Sequence, residues 1–132
     1  MNKIHQISAE HLSIEQIGEI IKNGTKLELS EDARQRIIRC REYLDNKIKE
    51  SETPIYGVTT GFGSLCKISI DKDSLSQLQK NLVMSHACGV GDRVPNEIVK
   101  IMLLLKIQSL SYGYSACQLK TVERLIDFFN ND

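Results

Sequence analysis

The apolar positions of the chain fall into helical stripes separated by short polar or glycine-bearing breaks. Ser13-Ile-Glu-Gln16 has the form of a capping box, and Ile14, Ile17, Ile20 and Ile21 follow at helical spacing until Asn23-Gly24. This predicts a short amphipathic helix closed by a glycine. Leu27 and Leu29 then alternate with charged neighbours, which fits a brief extended segment over 25–29, whereas Met1 to Leu12 has no strong period. Ser30, Glu31 and Asp32 make an acidic helix start, from which Ile37, Ile38, Tyr43, Leu44 and Ile48 trace one face as far as about Lys49. The opposite face carries Arg34, Arg36, Arg39, Glu42 and Lys47 and reads as solvated surface.

Thr53-Pro54 ends that helix. Ser74-Leu-Ser-Gln77 is a second capping box, opening a helix with Leu75, Leu78, Leu82 and Val83 inward, which Gly89 and Gly91 should stop. Pro95 suits the first position of a helix that is apolar nearly all round, from Ile98 through Ile101 to Leu105 and on to Ile107 and Leu110, and such a helix should be buried. Ser115-Ala-Cys-Gln118 is a third capping box before Leu119, Val122, Leu125, Ile126 and Phe129. The pattern predicts a mainly α domain over residues 1–132, with five helices and one or two short strands. Its irregular chemistry is concentrated in two stretches, Ile55 to Ser64 and Asn81 to Gly91.

A chain of 132 residues fits one domain and should bury about two thirds of its unfolded surface. Hydrophobic residues at 41% and charged residues at 26% argue for a folded chain. Lys plus Arg equals Asp plus Glu, 17 each, so charge gives no case for nucleic acid or an anionic membrane as partner. The longest apolar run, Ile101 to Leu105, lies between Lys100 and Lys106 and is too short to cross a bilayer. Cys40, Cys66, Cys88 and Cys117 are widely spaced and no secretory signal is present. That predicts reduced thiols serving as small core residues in a cytoplasmic protein.

Three glycines, one tyrosine and two threonines crowd Ile55-Tyr-Gly-Val-Thr-Thr-Gly-Phe-Gly-Ser64. Such a loop is costly in entropy, which suggests a site or a tight crossing. A phosphate-binding role is disfavoured: Ser64, not lysine, follows Gly63, and Cys66 stands where the third glycine of Gly-x-Gly-x-x-Gly belongs. Tyr56 has two readings, a packed aromatic whose hydroxyl finds a partner, or an acid/base group whose phenolate needs nearby donors. His86 likewise fits a favourable contact at a helix C-terminus or a functional imidazole. It has no histidine at metal-ligand spacing, so no metal site is expected.

Taken together, Ile55-Tyr-Gly-Val-Thr-Thr-Gly-Phe-Gly63 and Leu78-Gln-Lys-Asn-Leu-Val-Met-Ser-His-Ala-Cys-Gly-Val-Gly91 closely resemble the N-terminal region of the aromatic amino acid ammonia-lyases, and within them the histidine-specific enzymes. The likeness continues through Ile101-Met-Leu-Leu-Leu-Lys-Ile-Gln-Ser-Leu-Ser111. It implies the helical N-terminal domain of a fumarase/aspartase-like lyase, with a glycine-rich tyrosine loop. It also implies an enzyme that converts L-histidine to urocanate and ammonia on a methylidene-imidazolone electrophile formed from Ala-Ser-Gly. On this likeness Tyr56 is the general base for the β-proton, Gly57, Gly61 and Gly63 form its loop, and Ser85 and His86 bind the substrate ring. Tyrosine-selective relatives carry His-Leu at that pair and phenylalanine-selective ones Phe-Leu, so Ser85-His86 favours an imidazole.

Two departures temper the likeness. Ser111-Tyr-Gly-Tyr-Ser-Ala-Cys-Gln118 stands where the histidine lyases usually read Ser-Arg-Gly-x-Ser-Gly-Ile/Val-Arg, so both arginines and one glycine are lost. No Ala-Ser-Gly occurs in the chain, so no cofactor group is expected from it, and it is read as part of a longer, truncated architecture, inactive alone. The family's tetramer would be the homo-oligomeric partner, with an amino acid as ligand and neither nucleic acid nor membrane. Alternatives are a tyrosine or phenylalanine ammonia-lyase or aminomutase, and a non-catalytic homologue that binds a partner.

Overall fold

The computed structural model describes residues 3–50, 53–65, 70 and 74–131. Cys66 and its expected core role lie outside them. The described residues form two compact units, one from Met1–Asp45 with Arg93–Asp132 and one from Asn46–Asp92.

In the first unit, β1 (Ile4–Ile7) and β2 (Lys26–Leu29) pair in parallel, with Ile4 opposite Lys26 and Ile7 opposite Leu29. A parallel pair needs a crossover, and α1 (Ile14–Lys22) supplies it. β1 falls in the stretch that showed no period, because only Ile7 of its four residues is buried. β2 matches the alternation, burying Leu27 and Leu29 and exposing Lys26 and Glu28. The Ser13 capping box forms in both directions: Ser13 Oγ accepts from the Gln16 amide at 3.2 Å, and Gln16 Oε1 accepts from the Ser13 amide at 2.8 Å.

Helices α2 (Glu31–Glu50), α4 (Asn96–Ser111) and α5 (Leu119–Asn131) complete the architecture, with α3 (Leu75–His86) in the second unit. Ile7, Ile37, Leu104, Ile107 and Val122 are at or near zero exposure and mark the core of the first unit. Asn130 ties α5 to β2 by accepting from the Leu27 amide at 2.8 Å and donating to the Leu27 carbonyl at 2.9 Å. The arginine face of α2 is not wholly solvated: Arg34 Nη1 lies 2.6 Å from Glu123 Oε1 on α5, and Arg41 pairs with Asp45 and reaches the Ala116 carbonyl.

Helix α4 departs from the expectation of burial all round. Toward the core it places Leu104, Ile107 and Leu110 with two polar residues, Gln108 and Ser111, while Ile98, Met102 and Leu105 face outward. The polar pair is buried because it serves the N-terminal segment: Gln108 Nε2 donates to the Ser8 and Glu10 carbonyls at 2.9 and 3.0 Å, and Ser111 Oγ donates to the Ser8 carbonyl at 3.2 Å. Pro95 is the N-cap rather than the first helical residue, since its ψ of 140° is extended. The Ser115 box does not form, because Ala116 at φ +48° interrupts helical geometry and α5 begins at Leu119. Around the same break, Gly113 at φ +76° lies hard against Arg36 of α2.

In the second unit, a single 3₁₀ turn (Gly63–Leu65) follows the tyrosine loop, and α3 buries no residue. Val83, expected inward, is 70% exposed. The Ser74 box is also absent: Ser74 itself has helical dihedrals, so its hydroxyl does not reach back over the first turn, and it makes no capping bond. Cys88, beyond the end of α3, is exposed rather than a core residue, whereas Cys40 and Cys117 of the first unit are half-buried; all three are free thiols.

Candidate active site

Both stretches singled out by the sequence lie in the second unit, and there they meet. The Ile55 carbonyl accepts from the Val58 and Thr59 amides at 3.0 and 2.9 Å, which folds the chain into a tight turn at Tyr56. The two threonines lock it. Thr59 Oγ1 accepts from the Ile55 amide at 2.8 Å, while the buried Thr60 takes the Gly57 amide at 3.2 Å and donates to the Gly61 carbonyl at 3.0 Å. The sequence reading gave these threonines no role, although their hydroxyls suit short-range loop bonding.

Gly57 sits at φ +69°, a dihedral that favours glycine, and a Cβ there would lie 2.6 Å from Phe62 Cε1, so any side chain would push that ring away. Gly63, at φ +56°, needs only the dihedral, having open space about it. Gly61 is buried under the same turn.

Phe62 is the residue that joins the two stretches. Its ring centroid lies 5.7 Å from that of Tyr56 in a tilted contact and 5.8 Å from that of His86 edge-on. Both distances fall in the range aromatic pairs favour. The Tyr56 side chain is not a packed core aromatic: it is 63% exposed, and its hydroxyl is 3.5 Å from the Gly63 amide, the N–H being the donor. A phenol so placed is open to a ligand on one side and faces a backbone donor on the other.

His86 closes α3. Its Nδ1 is 2.9 Å from the Leu82 carbonyl and 2.9 Å from Ser85 Oγ, and Ser85 Oγ itself donates to the Leu82 carbonyl at 2.9 Å. A carbonyl only accepts, so Nδ1 carries the hydrogen and the neutral ring keeps its lone pair on Nε2. The helix-end contact and the functional reading are therefore compatible, one nitrogen anchoring the ring and the other left as an acceptor. Ser85 helps hold that tautomer.

Sequence reasoning missed two further members. Phe62 was visible only as one letter of a motif, and Gln79, whose Nε2 donates to the Gly57 and Val58 carbonyls at 3.1 and 3.2 Å, gave no signal beyond its place on α3. Among the described residues no three His, Cys, Asp or Glu side chains gather as metal ligands, and no helix is long and apolar enough to cross a membrane.

The mainly helical fold is one that this chain shares with solved amino acid aminomutases and ammonia-lyases. The sequence profile of the aromatic amino acid lyases matches residues 12–132, and the chain belongs to that family. Its relatives include histidine ammonia-lyases from Deinococcus radiodurans, 46% identical over 121 residues (92% of this chain, 23% of that protein), and from Streptococcus gordonii, 38% identical over 130 residues (98% and 25%). The chain thus spans about a quarter of the length of these curated relatives. Among solved structures it is similar to the ergothioneine-degrading ergothionase of Treponema denticola, with a TM-score of 0.90 at 26% identity over 97% of this chain and 26% of that one. A tyrosine aminomutase from Streptomyces globisporus superposes with a TM-score of 0.87 at 27% identity over 99% and 24%.

Proposed function

We propose that the chain is the N-terminal domain of a histidine ammonia-lyase, contributing the base and the ring-reading residues for conversion of L-histidine to urocanate and ammonia. The observation that carries the reading is the Tyr56–Phe62–His86 ring series, which sets an accessible phenol and an accessible imidazole nitrogen about one shared phenylalanine. Tyr56 takes the β-proton as phenolate, aided by the Gly63 amide. His86 accepts the substrate ring N–H at Nε2, and Ser85, small and tied to the helix end, leaves room for that ring.

The methylidene-imidazolone electrophile of the family is not formed by these 132 residues, which contain no Ala-Ser-Gly, so only proton removal and ring recognition are assigned to this chain. On this reading the chain is inactive alone and works in the complete homo-oligomeric enzyme. The test is urocanate formation, followed by its near-ultraviolet absorbance, in the full-length polypeptide that carries this chain. Tyr56→Phe should lower kcat by about 10²–10⁴ without unfolding the protein. Replacing Ser85-His86 by His-Leu should shift preference from histidine to tyrosine. A full-length protein that contains Ala-Ser-Gly but leaves histidine untouched refutes the substrate. Activity on tyrosine or phenylalanine would instead favour the second reading, a lyase or aminomutase for those amino acids, which the similarity to a tyrosine aminomutase motivates.

A further inference from the structure

Gln79 is the one α3 side chain that reaches the tyrosine loop by hydrogen bonds, among those the structure records. Its single amide nitrogen donates to two successive carbonyls, Gly57 at 3.1 Å and Val58 at 3.2 Å. Two carbonyls pointing at one donor is not a requirement of the loop's own fold, because the internal bonds of Thr59 and Thr60 already close the turn. What the Gln79 amide adds is a fixed attachment between that turn and the helix whose last residues are Ser85 and His86.

We propose that Gln79 is a positioning residue that latches the Tyr56 turn onto α3, so that base and ring reader are held on one rigid element. The inference rests on the roles proposed above for Tyr56 and His86. Helix α3 buries nothing within its unit, so packing alone does not register the loop against it. The aromatic series supplies the other attachment, through the ring of Phe62, which lies against Gly57 on one side and meets His86 edge-on. The loop is thereby held at two points along the same helix, roughly two turns apart. Glutamine suits the latch because its carboxamide has two N–H donors and no charge, and both accepting groups are backbone carbonyls. A carboxylate of the same shape can only accept and would face two carbonyl oxygens.

Gln79→Glu is therefore the informative substitution, and Gln77→Glu its control. Gln77 lies on the same helix, is exposed, and bonds only to Asn81 within that helix in the recorded contacts. In the full-length polypeptide, deuterium uptake by residues 55–63 should rise roughly five- to tenfold in rate for Gln79→Glu and stay at the wild-type rate for Gln77→Glu, with residues 75–86 unchanged in both. The same variant should lose about tenfold in kcat while KM for histidine moves less than about twofold, since ring recognition stays on Ser85 and His86. Loop exchange equal to wild type, or an equal rise in the Gln77 control, overturns the latch. A KM effect with unchanged kcat overturns it as well. The exchange comparison does not depend on turnover: if the wild type leaves histidine untouched while the loop still loosens, the latch stands and the histidine assignment falls. If the wild type is active and the loop does not loosen, the reverse holds.

Discussion

Replacing Gly113 by alanine tests how the break between α4 and α5 is fitted to α2. The residue sits at φ +76°, and a Cβ added to it would lie 2.8 Å from Arg36 Cβ and 2.9 Å from the Arg36 carbonyl oxygen. The left-handed conformation costs an alanine about 1–2 kcal/mol. The contact is with backbone and a Cβ, which cannot swing aside, and overpacking of that kind costs about 1–3 kcal/mol more. The stiffer unfolded chain returns about 0.4–1 kcal/mol, so the expected loss is about 3 kcal/mol. Gly24→Ala provides the reference: its φ is +57° but nothing lies within 4 Å of the added Cβ, so only the dihedral term remains, net about 0.5–1 kcal/mol. Urea titrations followed by far-ultraviolet circular dichroism should place the two variants about 2 kcal/mol apart at unchanged slope. Equal losses at the two positions would refute the steric argument and leave only the dihedral.

Ala116 has the opposite problem, a side chain at φ +48° where the histidine lyases usually carry glycine. Ala116→Gly should stabilise the chain by about 0.5–1 kcal/mol, read as a melting temperature about 2–4 °C higher. Asn130→Ala strips partners from both the amide and the carbonyl of Leu27 and should cost about 2–3 kcal/mol in the same melt. Asn131→Ala, which removes one exposed bond to the Asp127 carbonyl, should cost less than about 0.5 kcal/mol. Partial burial of His5 in β1 disfavours its imidazolium and holds its pKa below the ordinary value. The unfolded chain therefore takes up the proton first, so stability is whole above the ordinary histidine pKa and falls as the pH drops through and below it. Urea midpoints measured from pH 7.5 to 5 should decline, and His5→Gln should flatten that decline.

Two local signals were followed closely by the structure. The Ser13 box formed because the serine and glutamine bonds are both within one turn, and β2 formed because Leu27 and Leu29 alternate with charge. β1 was illegible because three of its four side chains face solvent or a partial cover, so its strand state comes from pairing with β2, a contact across twenty-two positions. The capping boxes at Ser74 and Ser115 looked as good as the first on paper. Backbone dihedrals set by the surrounding chain overrode them, at Ser74 itself and at Ala116. The apolar run of α4 fixed a helix but not which side faces in, because the unit's core took Gln108 and Ser111 in order to satisfy the carbonyls of Ser8 and Glu10. In the candidate site, the motifs pointed to Tyr56, Ser85 and His86, whose roles belong to the proposal above. Phe62 and Gln79 emerged only from tertiary geometry, since a ring contact and a side chain to backbone bond across more than twenty residues leave no periodic trace.

The bond pair between Asn130 and Leu27 joins residues 103 positions apart. During synthesis the N-terminal strands and α1 leave the ribosome long before α5 exists, and the whole second unit emerges in between. The bonds that Asn130 makes to the Leu27 backbone can therefore form only after the second unit has been synthesised. A nascent chain arrested a few residues short of Asn130 should be sensitive to protease along β2, and the released chain should be protected there.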